Sequence, residues 1–303
     1  MARKVVVSGS TGLVGSALVE ALGKRGDHAI RLVRPQTKNG DSTAAWDPAA
    51  GTIDAKALEG CDAVVHLAGD NLGKGRWTKE KKARVLSSRV QGTILLSKTL
   101  ASLQKPPAVF VCASAIGYYG SRGEEILRED SAAGTGFLAD VCVAWEAAAK
   151  PVIDKQIRTV LLRIGVVLSP KGGALPAMLP AFRMGAGGKL GPGNQYFAWV
   201  ALDDLVRAIL FAIDTPSLAG PVNATAPHPV TNAEFTKALG KALGRPTFFP
   251  LPAFAARLAF GGEKAEEMLL GSNRVEPARL LSAGFRFDYP EIEPALHHLL
   301  TRP

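Results

Sequence analysis

Cysteine is scarce in this 303-residue sequence: Cys61, Cys112 and Cys142 are odd in number, widely spaced and form no Cys-x-x-Cys pair. That argues against a disulfide framework and a clustered zinc site, and the thiols read as buried or free in a reducing compartment. His297-His298 stands alone near the C-terminus, so no metal is expected. Long apolar runs are missing too, and none approaches the roughly 20 residues needed to cross a bilayer. Met1-Ala2-Arg3-Lys4 passes straight into Val5-Val6-Val7, leaving no room for the apolar region of a secretory signal. The cytoplasm is the expected location, without a membrane partner. Gly-x-Ser-x-Gly is absent, and with it the nucleophile elbow of Ser-His-Asp hydrolases.

Acidic residues are outnumbered, 27 against 36 basic, which gives a formal charge of +9. The basic residues are scattered, however. The densest run, Lys79-Glu80-Lys81-Lys82, lacks interleaved aromatics and reads as a solvated helix start. No nucleic-acid partner is expected; the surplus suits a pocket for anionic cofactors or substrates. Nothing in the sequence specifies an oligomeric state.

What is present is alternation. Short apolar runs at Val5–Ser8, Ala29–Val33, Ala63–Leu67, Val109–Ala113 and Thr159–Val167 read as strands, with helical patterns between several of them. Leu13, Ala17, Leu18, Ala21 and Leu22 make one helix face, stopped at Gly26, and Lys79–Leu103 is a long helix ended by Pro106-Pro107. The stretch 35–60 is less regular, with Ala44-Ala45-Trp46-Asp47 as a short edge element. Phe197–Val200 reads as a strand, Asp203–Ile213 as a helix, and a helix capped by Thr231 or Asn232 runs to Leu243. The fold expected is α/β: a doubly wound parallel Rossmann sheet with a small, mostly helical C-terminal substrate lobe. Residues 1–225 form the dinucleotide domain, with an inserted loop at 170–195, and 226–303 a lobe packed on it.

The chemistry-bearing motif is Gly9-Ser10-Thr11-Gly12-Leu13-Val14-Gly15, directly after a strand and opening a helix. The first glycine permits the sharp turn, the second removes a side chain where a pyrophosphate approaches, and the third lets helix and strand pack closely. The helix N-terminus adds free N–H groups and partial positive charge. An acid about 20 positions on would bind the ribose hydroxyls of NAD. Here the second strand ends Leu32-Val33-Arg34-Pro35, and Arg34 offers a fork of donors to a 2′-phosphate. NADP(H) is therefore favoured.

Together with His66-Leu67-Ala68-Gly69, Arg76-Trp77, Ser88-Arg89 and Ala113-Ser114-Ala115-Ile116-Gly117-Tyr118-Tyr119-Gly120, the loop resembles the extended short-chain dehydrogenase/reductases. More narrowly, it resembles their atypical branch of epimerase family proteins. Phe137–Cys142, Trp145-Glu146-Ala147-Ala148, Asp203-Asp204-Leu205 and a C-terminal segment like that branch's small domain of unknown role extend the likeness over nearly the whole chain. The resemblance implies that Gly9, Ser10, Thr11, Gly12, Leu13 and Val14 wrap the pyrophosphate. It implies that Val33 and Arg34 border the adenine ribose and its phosphate, and that Leu67 and Ala68 run past the adenosine side. Arg89 matches a position that reaches the cofactor, and Val167 one near the nicotinamide.

The departure concerns catalysis. Typical members use Tyr-x-x-x-Lys, the lysine lowering the tyrosine pKa for proton exchange. Alignment on Trp145-Glu146 puts Leu138 and Cys142 at those two positions, and no Tyr-x-x-x-Lys occurs elsewhere. Ala115 falls at the usual serine or threonine position, one after Ser114. Ser114, Tyr118 or Tyr119, and Cys142 are the side chains available as substitutes; a packed aromatic and a small buried cysteine are their plainer readings. Phe182-Arg183-Met184 and Gln195-Tyr196-Phe197-Ala198-Trp199 offer aromatic and basic groups to a substrate such as a nucleotide sugar or carbonyl compound, or else are core. Two functions stay open: an NADP(H)-dependent oxidoreductase or nucleotide-sugar epimerase-like enzyme with an atypical site, and a non-catalytic NADP(H)-binding sensor or scaffold.

Overall fold

The computed structural model of the chain describes residues 2–36 and 42–301. Of the irregular stretch 35–60, residues 37–41 therefore lie outside the described residues. In chain order come β1 (Lys4–Ser8), α1 (Leu13–Lys24), β2 (His28–Val33), β3 (Thr43–Asp47), β4 (Thr52–Ile53), α2 (Ala55–Leu58), β5 (Ala63–His66), α3 (Lys79–Ser102) and β6 (Val109–Ala115). A 3₁₀ turn, Ile116–Tyr119, leads to β7 (Ile126–Leu127), α4 (Phe137–Ala147), α5 (Lys150–Asp154), β8 (Arg158–Ile164), β9 (Val166–Leu168) and α6 (Ala174–Arg183). Then follow β10 (Tyr196–Phe197), β11 (Trp199–Ala201), α7 (Leu202–Asp214), β12 (Gly220–Ala224), β13 (Val230–Thr231) and α8 (Asn232–Leu243). The tail holds α9 (Ala253–Phe260), α10 (Gly262–Ala265), a π-helical turn Glu266–Leu270, β14 (Arg274–Val275), α11 (Ala278–Ser282) and α12 (Ile292–Thr301).

The chain divides into two compact units. The first is Met1–Ser114, Val141–Leu162 and Val206–Val222; the second is Ala115–Asp140, Arg163–Leu205 and Asn223–Pro303.

The first unit is organised by an eight-stranded sheet of order β12-β8-β6-β5-β1-β2-β3-β4. β1 pairs parallel with both β2 and β5, β5 with β6 and β2 with β3, while β4 turns back antiparallel to β3. Val5-Val6-Val7 and all of β5 are buried, as strands covered on both faces require. Strand order reverses at β1, so the carboxyl end of β1, where the glycine loop begins, is the switch point at which open α/β sheets bind ligands. Helix α1 buries Gly15, Leu18 and Leu22 at spacings of three and four, and Gly26, at φ +80°, takes the chain out of it.

In the second unit, β9 pairs parallel with β11, β10 antiparallel with β13, and β14 parallel with β7. Its core gathers Leu175, Leu179 and Phe182 of α6 with Trp199, Phe235, Leu239, Leu296 and Leu299. Thr231 caps α8 by accepting from Glu234 N while Glu234 returns a carboxylate to Thr231 N, a reciprocal box.

Three expectations need correction. The run Thr159–Val167 is two strands: Gly165 interrupts it, because a Cβ there would lie 2.9 Å from both Ala198 O and Thr225 Cγ2. Beyond it, β9 leaves the main sheet to pair with β11. Phe197–Val200 is likewise split at Ala198, whose carbonyl accepts Val166 N. Finally, the stretch 170–195 is not all loop, since Ala174–Arg183 is helical. Its glycines and prolines masked the stripe Leu175, Leu179 and Phe182.

Candidate functional site

The glycine loop takes its shape from backbone contacts that side chains would prevent. Gly9 stands at φ +68°, and a Cβ on it would meet Leu67 C at 2.8 Å and Ala68 N at 2.9 Å. A Cβ on Gly15 would sit 2.2 Å from Gly9 O. Gly12 differs: its φ of −78° suits any residue, it is exposed, and a Cβ would meet only Gly9 O, at 3.3 Å. Helix and turn geometry thus demand Gly9 and Gly15, while an incoming group is what Gly12 leaves space for.

Two features suit the loop to a ligand. Gly12 caps α1 without any side-chain hydrogen bond, and no acid occupies the first turn. Ser10 is buried, and its Oγ has no hydrogen-bond partner among the described residues. A buried hydroxyl left unpaired is costly unless something else meets it. Thr11 is exposed, and Leu13 and Val14 are half-buried beside it.

Behind the loop, Ser8 Oγ lies 2.6 Å from His66 Nδ1 and accepts Leu67 N at 3.1 Å and Ala68 N at 3.4 Å. The hydroxyl and Nδ1 share one hydrogen bond, while His66 Nε2 is buried with no partner among the described residues. Burial pushes the His66 pKa down to about 4, so the ring stays neutral. This clamp fixes Leu67 and Ala68 where Gly9 packs. Val33 is buried at the end of β2, and the next residue, Arg34, is exposed.

Arg89 is buried on α3. Its Nη1 donates to Asp70 O and Val85 O, both at 3.1 Å, and its guanidinium stands 5.0 Å from the Trp145 ring. Trp145 Nε1 in turn donates to Thr93 Oγ1 at 2.9 Å. On the same α4 as Trp145, Glu146 accepts the Ser114 hydroxyl at 2.7 Å. Ser114 is buried at the end of β6. Cys142 is buried and in no disulfide, one turn before Glu146, at the spacing that puts both on one helix face.

The second unit holds a separate polar cluster. Tyr119 is fully buried; its hydroxyl donates to Asn223 Oδ1 at 2.7 Å and accepts Arg163 Nη1 at 2.9 Å. Arg163 also donates to Glu129 O at 3.2 Å and lies 3.5 Å from the Tyr118 ring centroid. Glu129 Oε1 accepts Asn223 N and Arg279 N, both at 3.1 Å. Burial raises the Tyr119 pKa, against the opposing pull of Arg163, so the phenol is held protonated. Val167, half-buried on β9, pairs with Val200. Leu138, at the expected tyrosine position, is the second residue of α4, and its N–H and that of Phe137 donate to Glu267 at 2.7 and 2.9 Å.

Glu146, Arg163, Asn223 and Glu129 were not singled out by the sequence as site residues. Arg163 did carry a signal: a cation inside the apolar run Val160-Leu161-Leu162-Arg163-Ile164 must be paired when buried. Glu146 carried a weaker one, its i+4 spacing from Cys142.

Comparison with known proteins agrees with this architecture. The model of the NAD dependent epimerase/dehydratase family matches residues 5–224, and a domain of unknown function, DUF1731, matches residues 251–299. An epimerase family protein of Mycobacterium bovis is 47% identical over all of both chains. The crystal structure of human epimerase family protein SDR39U1 (isoform 2) with NADPH has a TM-score of 0.89 at 36% identity, covering 98% of each chain. A structure of the nucleoside-diphosphate sugar epimerase from Corynebacterium glutamicum has a TM-score of 0.81 at 36% identity, covering 99% of this chain and 58% of that one. With over two thirds of its length matched by the family model and a near-half-identical relative along its full length, this chain belongs to the NAD dependent epimerase/dehydratase family.

Proposed function

We propose that this chain binds NADP(H) and works as an oxidoreductase or nucleotide-sugar epimerase-like enzyme whose proton-handling group is the Ser114–Glu146 pair. The cofactor fits the loop: Gly9, Gly12 and Gly15 leave a bare backbone, the buried Ser10 hydroxyl has no hydrogen-bond partner among the described residues, and the human relative was crystallised with NADPH. In this reading, Gly9, Ser10, Thr11, Gly12, Leu13 and Val14 hold the diphosphate, Val33 and Arg34 the 2′-phosphorylated ribose, and Leu67 and Ala68 the adenosine side. All of these lie within residues 1–225, the proposed dinucleotide domain. When bound, the nicotinamide supplies or accepts hydride.

The Ser114 hydroxyl hydrogen-bonded to Glu146 carries the catalytic part. A carboxylate within 2.7 Å can accept the proton that a serine passes on, a task given elsewhere in the family to the tyrosine that Leu138 replaces. Tyr119 is a weaker candidate, because both sides of its hydroxyl are engaged by Asn223 and Arg163. The substrate class is a carbonyl compound or nucleotide sugar.

Two measurements test this reading. Arg34→Ala is expected to weaken NADPH about tenfold or more while leaving NADH within about twofold; equal losses would remove Arg34 from the 2′-phosphate. In a panel of carbonyls and sugar nucleotides, the wild-type chain is expected to turn over at least one. Ser114→Ala should then cut kcat by about a hundredfold or more with NADPH affinity unchanged. Leu138 and Cys142 at the tyrosine and lysine positions favour a second reading, a non-catalytic NADP(H) sensor or scaffold. Stoichiometric NADPH binding with no turnover across the panel would install it.

A further inference from the structure

Large apolar side chains stand in water on one part of the second unit. Met184 is 77% exposed, Phe248 81%, Phe249 65%, Phe254 71% and Leu258 77%. They belong to two chain segments that lie side by side. A Cβ on Gly185 would be 3.7 Å from the Pro246 ring, and one on Gly188 would overlap Phe249 O. Leu251 N donates to Lys189 O and Gly191 N to Leu251 O, both at 2.9 Å. Helix α9 follows directly. It buries Ala256 while Phe254 and Leu258, four residues apart, share an outward stripe.

The two segments that carry these side chains and build this face hold charge of one sign: no aspartate or glutamate occurs in residues 183–191 or 245–260. Arg183, Lys189 and Arg245 border it, all exposed, and no carboxylate partners Arg183 or Arg245 among the described residues. Arg257 is paired with Glu266, and the first acid along the chain after these segments is Glu263. Exposed phenylalanines framed by cations are the composition that lies in a lipid interface: rings enter the acyl boundary while arginine and lysine meet anionic headgroups. A second copy of the chain would be a poorer occupant, since a two-fold contact would bring Arg183 and Arg245 against the same cations.

We propose that this face docks the protein peripherally on an anionic lipid bilayer. The sequence alone carries no such signal, because its hydropathy holds no spanning run and the face is assembled only by folding. No described helix is long and apolar enough to cross a membrane, and none is needed: the contact is one-sided.

Co-sedimentation of the full chain with vesicles tests the proposal. Vesicles of phosphatidylcholine with about one third phosphatidylglycerol are expected to bind it at least about tenfold better than phosphatidylcholine alone, with the difference lost at high salt. The double substitution Phe254→Ser with Leu258→Ser should lower partitioning by about tenfold or more. Arg183→Gln with Arg245→Gln, which alters only exposed side chains, should lower it independently. Failure to bind anionic vesicles, or equal binding by both double variants and the wild type, would overturn the proposal. So would a concentration-dependent dimer in light scattering that the Phe254→Ser, Leu258→Ser variant abolishes, which would give the face to a second copy.

Discussion

Gly12→Val is expected to lower NADPH affinity by about a hundredfold or more while leaving the fold nearly as stable as before. The backbone at Gly12 has a negative φ that valine adopts freely, and its Cβ meets only Gly9 O, at 3.3 Å, so the loop need give by only a few tenths of an ångström at that atom. The helix cap loses at most about 1 kcal/mol. The branched side chain instead fills the space that a diphosphate must enter to reach the α1 amides. Calorimetric titration with NADPH beside a thermal melt separates the two effects. Gly15→Ala is the contrasting control: its methyl would stand 2.2 Å from Gly9 O, so the loop itself must move, and stability should fall by about 1–3 kcal/mol. If Gly12→Val melts normally and still binds NADPH, the diphosphate lies elsewhere.

The second large effect is expected at Arg163. Arg163→Met keeps much of the volume but removes the cation shared by Tyr119 Oη and Glu129 O and stacked on Tyr118. Breaking one member of a buried charged network leaves its partners unsatisfied in a low-dielectric site, which costs about 3–5 kcal/mol. Urea unfolding should report a loss of that size, with Tyr119→Phe losing about 1–2 kcal/mol through the single hydroxyl. A loss below about 1 kcal/mol in Arg163→Met would mean that water takes over the guanidinium's bonds.

Local pattern explains what could be read without coordinates. The strands β1, β5 and β6 are dominated by apolar runs, α1 and α3 show helical spacing, and the glycine loop announces itself through context on both sides. Each depends on residues within a dozen positions. The pairs that define the rest are remote: Ser114 and Glu146 are 32 residues apart, Tyr119 and Asn223 are 104, and Ser8 and His66 are 58. No periodicity links such partners, so only the folded chain reveals them. The break at Gly165 and the helix α6 were hidden for a related reason. Glycine marks a bend whether it ends an element or diverts it into another sheet, and Pro176 and Pro180 disguise a helix whose buried stripe holds it together.

Glu267 ties the tail of the chain to the start of α4. Its carboxylate, contributed by a single π-helical turn within residues 251–299, accepts the first two amides of the helix that carries Trp145 and Glu146. Without that carboxylate those amides would be left to solvent and the helix start would fray. The stability of α4 therefore depends on a side chain outside residues 5–224, the part matched by the epimerase model.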